Sequence, residues 1–446
     1  MRTTHHAGPP DAPAAPVDPA ADGAPAGIDE RTEPAVRLSG WSVRTRVAIH
    51  AARLAARLSR AAGRAGGVIG GRVALALDPG VLTELARPRT TVLVTGTNGK
   101  TTTTAMVAAA LGVLGPVASN RSGANMPDGL VAALADQPSA PYAALEVDEA
   151  HLAAVLAVTA PAVVVLLNLS RDQIDRVGEV RRLERALRRA LAACPAVTVV
   201  ANCDDILVSS VAAATGRPVW VSAGAAWRAD ATACPHCGDV VRDRSGQWWC
   251  RCGFARPRPD WIVRRQSVRT PEGLCVPLAA GVPGKANLGN AAMAAAAAVS
   301  LGVPLLPALH GIGSIGEVAG RYRLFDHQGR RARLLLAKNP AGWRETLAVI
   351  TAHDLPVVLV VNGREADGRD LSWLWDVPFD NLVGRSVIVS GECHLDLAAR
   401  LVYAQVAHTV VPDPLAAIAQ LPAGPIDVIA NYTAFRDLTR RLNHGR

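Results

Sequence analysis

Seven consecutive residues, Gly96-Thr97-Asn98-Gly99-Lys100-Thr101-Thr102, have the types and order that could hold a triphosphate. Glycines let backbone N–H groups converge on an anion, and a helix N-terminus adds positive field. A lysine at this place reaches the β- and γ-phosphates, and the hydroxyl after it can hold Mg²⁺. The flanking text has the required order: the β-branched run Thr91–Thr95 precedes the segment, and an Ala-rich helical run from Lys100 to Leu114 comes after it. The commoner spacing puts a further glycine at position 94, where Val94 stands, so this is a shortened phosphate loop.

Two other clusters carry chemistry. Cys234-Pro235-His236-Cys237 and Cys250-Arg251-Cys252-Gly253 bring four thiolates into two close pairs, which suits tetrahedral Zn²⁺ in a closed structural ribbon. The second pair is Cys-x-Cys, which leaves His236 as an alternative ligand. Cys194, Cys203, Cys275 and Cys393 are scattered and read as core residues. Further on, Asp367, Asp370 and Asp376 stand with Trp373 and Trp375 in a segment after a strand candidate, where α/β sites form. A capped helix start at Asp370 or Ser372 is the simpler reading of part of it.

The elements that must position these residues are legible as alternating patterns. Strand candidates are Thr91–Thr95, Ala143–Val147, Ala162–Leu167 and Val197–Ala201, then Arg333–Leu336, Val357–Val361, Ser386–Val389 and Ile426–Ile429. Helical stretches fall between them, including Gly178–Ala193, Asn287–Leu301, Trp343–Thr351 and Leu395–Tyr403. Strands alternating with helices predict mostly parallel α/β sheets. The expected division is a disordered tail over 1–38, an ATP-binding central domain over 39–310 with the cysteine ribbon inserted at 228–262, and a C-terminal α/β domain over 311–446.

Composition narrows the function classes. The chain has 446 residues, 50% apolar and 19% charged, with mean hydropathy +0.18, which excludes a collagen, a coiled coil or a disordered bulk. Its net +9 sets 44 arginines and three lysines, Lys100, Lys285 and Lys338, against 38 acidic residues. Such Arg-heavy, Ala-heavy usage reads as genome bias, and no basic stretch is interleaved with aromatics, so no nucleic acid is expected as a partner. Eight cysteines are too few for a disulfide scaffold and point to a reducing cytosol. The tail lacks the apolar core of a signal peptide, and nowhere do about 18 apolar residues run together, so neither secretion nor a transmembrane helix is expected. From Val43 to Ala62, Val47, Leu54 and Leu58 alternate with Arg44, Arg46, Arg53, Arg57 and Arg60. The simpler reading is a helix docked on the body; contact with an anionic membrane surface is the other.

The loop sequence TGTNGKTTT resembles the Mur-ligase superfamily, the ATP-dependent ligases of peptidoglycan and folylpolyglutamate synthesis. The resemblance implies that Glu146 in ALEVDEAHL binds Mg²⁺ with Thr101, that Asn287 and Asn290 lie near the adenine, and that Gly320-Arg321 links to the C-terminal domain. Asn168 to Asp175 is similar to that family's Asn…Asp-His…Asp segment. Together with the four cysteines and the segment Val361 to Asp376, the chain after residue 40 resembles the MurT family, the ligase-like subunits of lipid II isoglutaminyl synthase. Ser119 to Met126 is also like that family's, which implies a substrate-binding role for Asn120, Ser122 and Asn125. The activity implied by the resemblance is ATP-dependent amidation of the D-glutamate α-carboxylate in the lipid II stem peptide, through an acyl phosphate, with ammonia from a GatD-type glutaminase. An aspartate of the C-terminal domain, Asp367 first and Asp370 second, then completes the partner's Cys/His pair. The expected cofactors are ATP, Mg²⁺ and Zn²⁺. The expected location is the cytoplasm, with the lipid II acceptor at the inner face of the membrane.

Departures from the amino-acid ligases point the same way. Gln173 stands where their metal-binding histidine comes after the aspartate, no lysine between Lys100 and Lys285 can serve as their carbamylated lysine, and Lys338-Asn339-Pro340 replaces their His-Asn-Pro. The competing readings are a conventional Mur or folylpolyglutamate-type ligase and a nucleic-acid-binding ATPase with a zinc ribbon.

Overall fold

The computed structural model describes residues 40–61, 68–121, 123–170, 177–224, 231–316, 321–368 and 370–444. The tail 1–38, Ser122, Asp172, Gln173, Asp175 and Gly320 lie outside the described residues.

Seventeen strands form three sheets among these residues. The first eleven are β1 Thr90–Thr95, β2 Val117–Ser119, β3 Tyr142–Glu146, β4 Val163–Leu166, β5 Thr198–Asn202, β6 Pro218–Ser222, β7 Arg242–Arg244, β8 Gln247–Trp249, β9 Trp261–Arg264, β10 Ser267–Arg269 and β11 Cys275–Pro277. Nine of them make one sheet in the order β11-β10-β9-β6-β5-β4-β1-β3-β2, parallel from β9 to β2, with β10 and β11 added antiparallel. The pair β7–β8 is a separate antiparallel hairpin between β6 and β9 in the chain. The last six are β12 Tyr322–His327, β13 Arg330–Leu336, β14 Val357–Val360, β15 Val387–Ser390, β16 Thr409–Val410 and β17 Gly424–Ala430. They form a second sheet in the order β12-β13-β17-β14-β15-β16, parallel except for the β12–β13 hairpin.

The central strands are buried on both faces, which is why they read as unbroken apolar runs rather than alternating ones. Leu93, Leu145, Val164 and Val199 point into one core, and Val92, Val94, Ala144, Val165 and Val200 into the other. The second core is closed by the helix Lys285–Val299, whose Ala291, Ala292 and Ala294–Ala298 are all buried. Small side chains there let this helix approach both the sheet and the helix Lys100–Leu111 closely.

The N-terminal helix α1 (Val43–Ala61) is docked on the body as expected, by Thr45, Ala48, Ile49 and Ala52 against α2 (Ile69–Leu77), while Val47, Leu54 and Leu58 take no part, and one other expectation, for Cys275, is corrected. Those three are 56%, 58% and 62% exposed. Alanines allow the closer helix approach, so the small face takes the contact and the branched face turns outward. Cys275, expected in the core, is exposed on the edge strand β11.

Candidate active site

The loop Gly96–Thr102 lies at the carboxyl end of β1, between neighbours β4 and β3, where the strand order of the sheet reverses. Crevices form at such switch points because the connections after two adjacent strands run to opposite faces, here the helix Lys100–Leu111 after β1 and the helix Val177–Ala192 after β4. Gly99 caps the helix Lys100–Leu111 with φ +84°, and a Cβ there would meet the Asn290 side chain at 2.9 Å. Only glycine allows both the left-handed turn and the approach of Asn290.

Residues from the end of β4 brace the loop. The Asn98 backbone N–H donates to Asn168 Oδ1 at 2.8 Å, and Asn168 Nδ2 returns a bond to the Asn98 carbonyl at 3.0 Å. The Thr97 hydroxyl donates to the Ser170 carbonyl at 3.0 Å and accepts from the Ser170 N–H at 2.9 Å. Lys100 is buried, and its Nζ donates to the Gly96 carbonyl at 2.6 Å and pairs with Glu149 Oε2 at 2.8 Å. Glu149 stands three residues after Glu146 in the same segment and carries no motif of its own in the sequence. Its carboxylate balances a lysine that would otherwise be an uncompensated buried charge.

Glu146, at the end of β3, is 1% exposed. Its Oε2 accepts from the Thr101 hydroxyl at 2.7 Å and its Oε1 from Asn125 Nδ2 at 3.2 Å. Asn120 is buried beside it, exchanging two 2.8 Å bonds with the Glu146 backbone. Asn120 and Asn125, expected at the acceptor, are thus both bonded to Glu146. Next to this group, Gly123 has φ +76°, and a Cβ there would lie 3.5 Å from Thr101 Oγ1 and 3.7 Å from Glu146 Oε2. The hydrogen at that position leaves room against two hard oxygen donors, a donor set that fits Mg²⁺.

The second sheet reaches the same place. Arg321 Nε donates to Thr101 Oγ1 at 3.1 Å, and Asn339 Nδ2 donates to Asn98 Oδ1 at 3.1 Å. An open cleft beside the loop is lined by Asn98, Gly99, Asn168, Asn290 and Glu345 among others. Asn287 ties its amide back to the Pro283 carbonyl at 2.7 Å and accepts from Asn290 at 3.2 Å, so Asn290 faces the cleft with Asn287 behind it. Glu345, on the helix Pro340–Ile350, carries no signal in the sequence. Its side chain makes no hydrogen bond or ion pair with any described residue, and burial pushes its carboxyl up to about 7.

The four cysteines converge. The Sγ atoms of Cys234, Cys237, Cys250 and Cys252 all lie within 4.8 Å of one another, with Cys234–Cys252 at 3.7 Å and Cys237–Cys250 at 3.4 Å. A tetrahedron of sulfurs ~2.3 Å from a zinc ion has edges of ~3.8 Å, so the set fits that ion. His236 is turned away, stacked on Phe254 at 4.1 Å with Nε2 3.2 Å from Ser210 Oγ. The cluster is fixed to the large sheet by Trp248, fully buried with its N–H donating to the Cys203 carbonyl at 3.2 Å, and by the ion pair Arg256–Asp204 at 2.7 Å.

In the second sheet, Asp367 and Asp370 come after the carboxyl end of β14 but sit differently. Asp367 is buried, and its carboxylate accepts from both the N–H and the hydroxyl of Thr433. Asp370 is exposed and accepts from the Ser372 N–H at 2.8 Å, which holds its carboxyl below the usual range. Trp373 is buried in the core, whereas Trp375 is 56% exposed and packs edge-on against Tyr403 at 5.2 Å.

A mostly parallel sheet carrying a glycine-threonine loop, a strand-end glutamate and a second α/β sheet above them defines a Mur-ligase-type protein. A family model described as the Mur ligase middle domain matches residues 94–298, and one described as MurT ligase C-terminal matches 336–435. The chain is 30% identical over 362 residues to the Streptococcus pneumoniae lipid II isoglutaminyl synthase (glutamine-hydrolyzing) subunit MurT, covering 74% of this chain and 80% of that one. The Staphylococcus aureus subunit MurT is 29% identical over 434 residues, 90% of this chain and 99% of that protein. Among solved structures, a pseudomurein peptide ligase type C from Methanothermus fervidus matches with TM-score 0.62 at 18% identity, over 82% of this chain and 81% of that one. MurF from Acinetobacter baumannii matches with TM-score 0.61 at 17% identity, over 84% and 80%. The chain belongs to the MurT family.

The half-buried carboxyl of Glu345 sets a pH dependence. With its pKa at about 7 instead of the ordinary 4.5, the folded state binds more protons than the unfolded one between those values, so this group lowers stability as pH rises through that window. Glu345→Gln is expected to match the wild type near pH 5 and to be the more stable at pH 8, by no more than about 3 kcal/mol. Denaturant midpoints across pH 5–8 check it; a difference that does not change with pH would contradict it.

Proposed function

We propose that this chain is the synthetase subunit of a lipid II isoglutaminyl synthase: it amidates the α-carboxylate of D-glutamate in the lipid II stem peptide, using ATP and ammonia supplied by a GatD-type glutaminase. The observation that carries the reading is that Arg321 and Asn339, the latter inside the region matched by the MurT C-terminal model, both bond to the loop Gly96–Thr102. Parts specific to this family and parts shared by all Mur ligases therefore meet at one place.

The residues have distinct tasks. Gly96, Thr97, Asn98, Gly99, Lys100 and Thr102 surround the triphosphate, with the helix N-terminus at Lys100 directed at it. Thr101 and Glu146 hold Mg²⁺, which when bound neutralises charge developing on the transferred phosphoryl group. Asn120 and Asn125 fix the Glu146 carboxylate, and Arg321 orients the Thr101 hydroxyl. Asn290, supported by Asn287, faces the adenosine in the cleft that Glu345 also lines. A carboxylate oxygen of the acceptor takes the γ-phosphoryl group, releasing ADP. Ammonia then attacks the acyl carbon, phosphate leaves with that oxygen, and the nitrogen loses one proton.

Free ammonia is scarce at neutral pH, and the chain has no Cys/His pair of its own arranged for glutamine hydrolysis among the described residues. Of the two aspartates, Asp367 is committed to Thr433, whereas Asp370 presents its carboxylate outward on the turn that also carries the exposed Trp375. We assign Asp370 to orienting the partner's histidine and Asp367 to holding the segment in place. The four cysteines hold Zn²⁺ as a structural ion, with all four positions closed by thiolate.

Two experiments test this. Incubation of lipid II with the chain, ATP, Mg²⁺ and ammonium chloride at alkaline pH is expected to lower the product mass by about one dalton, as OH becomes NH₂; Lys100→Ala is expected to lose at least ~10³-fold in rate. In the same assay Asp370→Asn keeps the ammonium reaction and, with the partner present, loses the glutamine-driven one. No mass change with wild type, alongside ATP hydrolysis stimulated by free amino acids, would establish the conventional ligase instead. For the cysteines, zinc content per chain is expected near one and to collapse in Cys234→Ser with a lower melting temperature; an unchanged zinc content would sink the assignment.

A further inference from the structure

Helix α1 has two apolar faces, and only one of them is used inside the molecule. Thr45, Ala48, Ile49 and Ala52 are buried against α2, while Val43, Val47, Leu54 and Leu58 are 69%, 56%, 58% and 62% exposed. At 100° per residue these four fall within about 60° of arc, on the side of the helix away from the buried face. Arg46, Arg57 and Arg60 line one edge of the stripe, and their guanidinium groups make no hydrogen bond or ion pair with any described residue. Arg44 and Arg53, in contrast, tie the helix to the body through the Leu77 and Ala135 carbonyls at 2.7 and 2.8 Å. On α2, Ile69 and Leu77 are also 44% and 43% exposed.

We propose that this face of α1 lies on an anionic lipid surface, with Val43, Val47, Leu54 and Leu58 entering the acyl boundary and Arg46, Arg57 and Arg60 meeting the headgroup phosphates. Charge complementarity selects this occupant. A nucleic acid would pair with the arginines and leave the branched side chains in water, whereas a bilayer interface accepts a basic edge and an apolar centre together. The tail 1–38 carries six acidic residues but mostly Ala and Pro as its apolar content, so it offers the stripe little to bury. Helices docked to the protein by Ala-rich faces also keep the stripe oriented as a rigid surface, so binding needs no coil-to-helix ordering. No helix among the described residues is long and apolar enough to cross a membrane, so attachment of this kind is interfacial. The inference stands on the surface alone and does not depend on the amidation reading.

Flotation of the full chain with extruded vesicles tests it. Binding is expected to vesicles of equal phosphatidylglycerol and phosphatidylcholine, and to fall at least tenfold on pure phosphatidylcholine or in 0.5 M NaCl. The triple variant Val47→Glu, Leu54→Glu, Leu58→Glu is expected to lose at least tenfold in partitioning. The milder Arg46→Gln, Arg57→Gln pair is expected to lose about fivefold per arginine without touching the docked face. Wild type that stays off anionic vesicles, or variants that bind as the wild type does, would overturn the proposal. So would a concentration-dependent dimer abolished by the triple variant, since the stripe would then meet a second copy, and so would binding seen only after removal of residues 1–38, since the tail would then be its occupant.

Discussion

The chain of contacts from Arg321 to Thr101 to Glu146 is the constraint on which the site depends. Thr101 Oγ1 accepts from a guanidinium on one side and donates to a buried carboxylate on the other, at 3.1 and 2.7 Å. A hydroxyl has one proton and two lone pairs, so this arrangement fixes its direction and leaves one lone pair facing the space beside Gly123. The glutamate is in turn oriented by Asn120 and Asn125, both spent on it. Because Arg321 stands at the start of the second sheet, the position of that sheet is coupled to the oxygen geometry at the loop.

This coupling ties the C-terminal half to a loop that lies wholly in the first sheet. Asn339 caps the helix Pro340–Ile350 by accepting from the Gly342 N–H at 2.9 Å, and with its other atom it reaches Asn98 in the loop. One amide thus sets both the start of a helix and its contact with the opposite sheet. Glu345, further along the same helix, lines the cleft. The Lys338-Asn339-Pro340 replacement in the sequence is therefore a structural joint as well as a departure from amino-acid ligases.

Much of this is legible in the sequence. The strands β1, β3, β4 and β5 are short runs of Val, Ala and Leu buried on both faces, and such runs announce themselves by composition. The loop and the four cysteines are legible because their chemistry fixes spacing within a few residues. Contacts such as Arg321–Thr101 and Lys100–Glu149 are harder, since they join positions set by the fold and not by any local period. The orientation of α1 escapes sequence reasoning for a related cause. Periodicity reveals a stripe but not which of two apolar faces a neighbour will choose, and the alanine face wins because it permits closer packing. Glu345 leaves no trace because a lone acid in an amphipathic helix reads as a solvated face, and only its half-buried place in the cleft shows otherwise.

The central claim is that a carboxylate oxygen of the acceptor attacks the γ-phosphoryl group at this loop and leaves with phosphate when ammonia arrives. Labelling the D-glutamate α-carboxylate of lipid II with oxygen-18 and tracing the label through turnover with ATP, Mg²⁺ and ammonia measures that transfer. Such a mechanism requires one labelled oxygen in the inorganic phosphate for each amide formed. Phosphate free of label, with amide accumulating at the same rate, would mean the carboxylate was never phosphorylated and would contradict it.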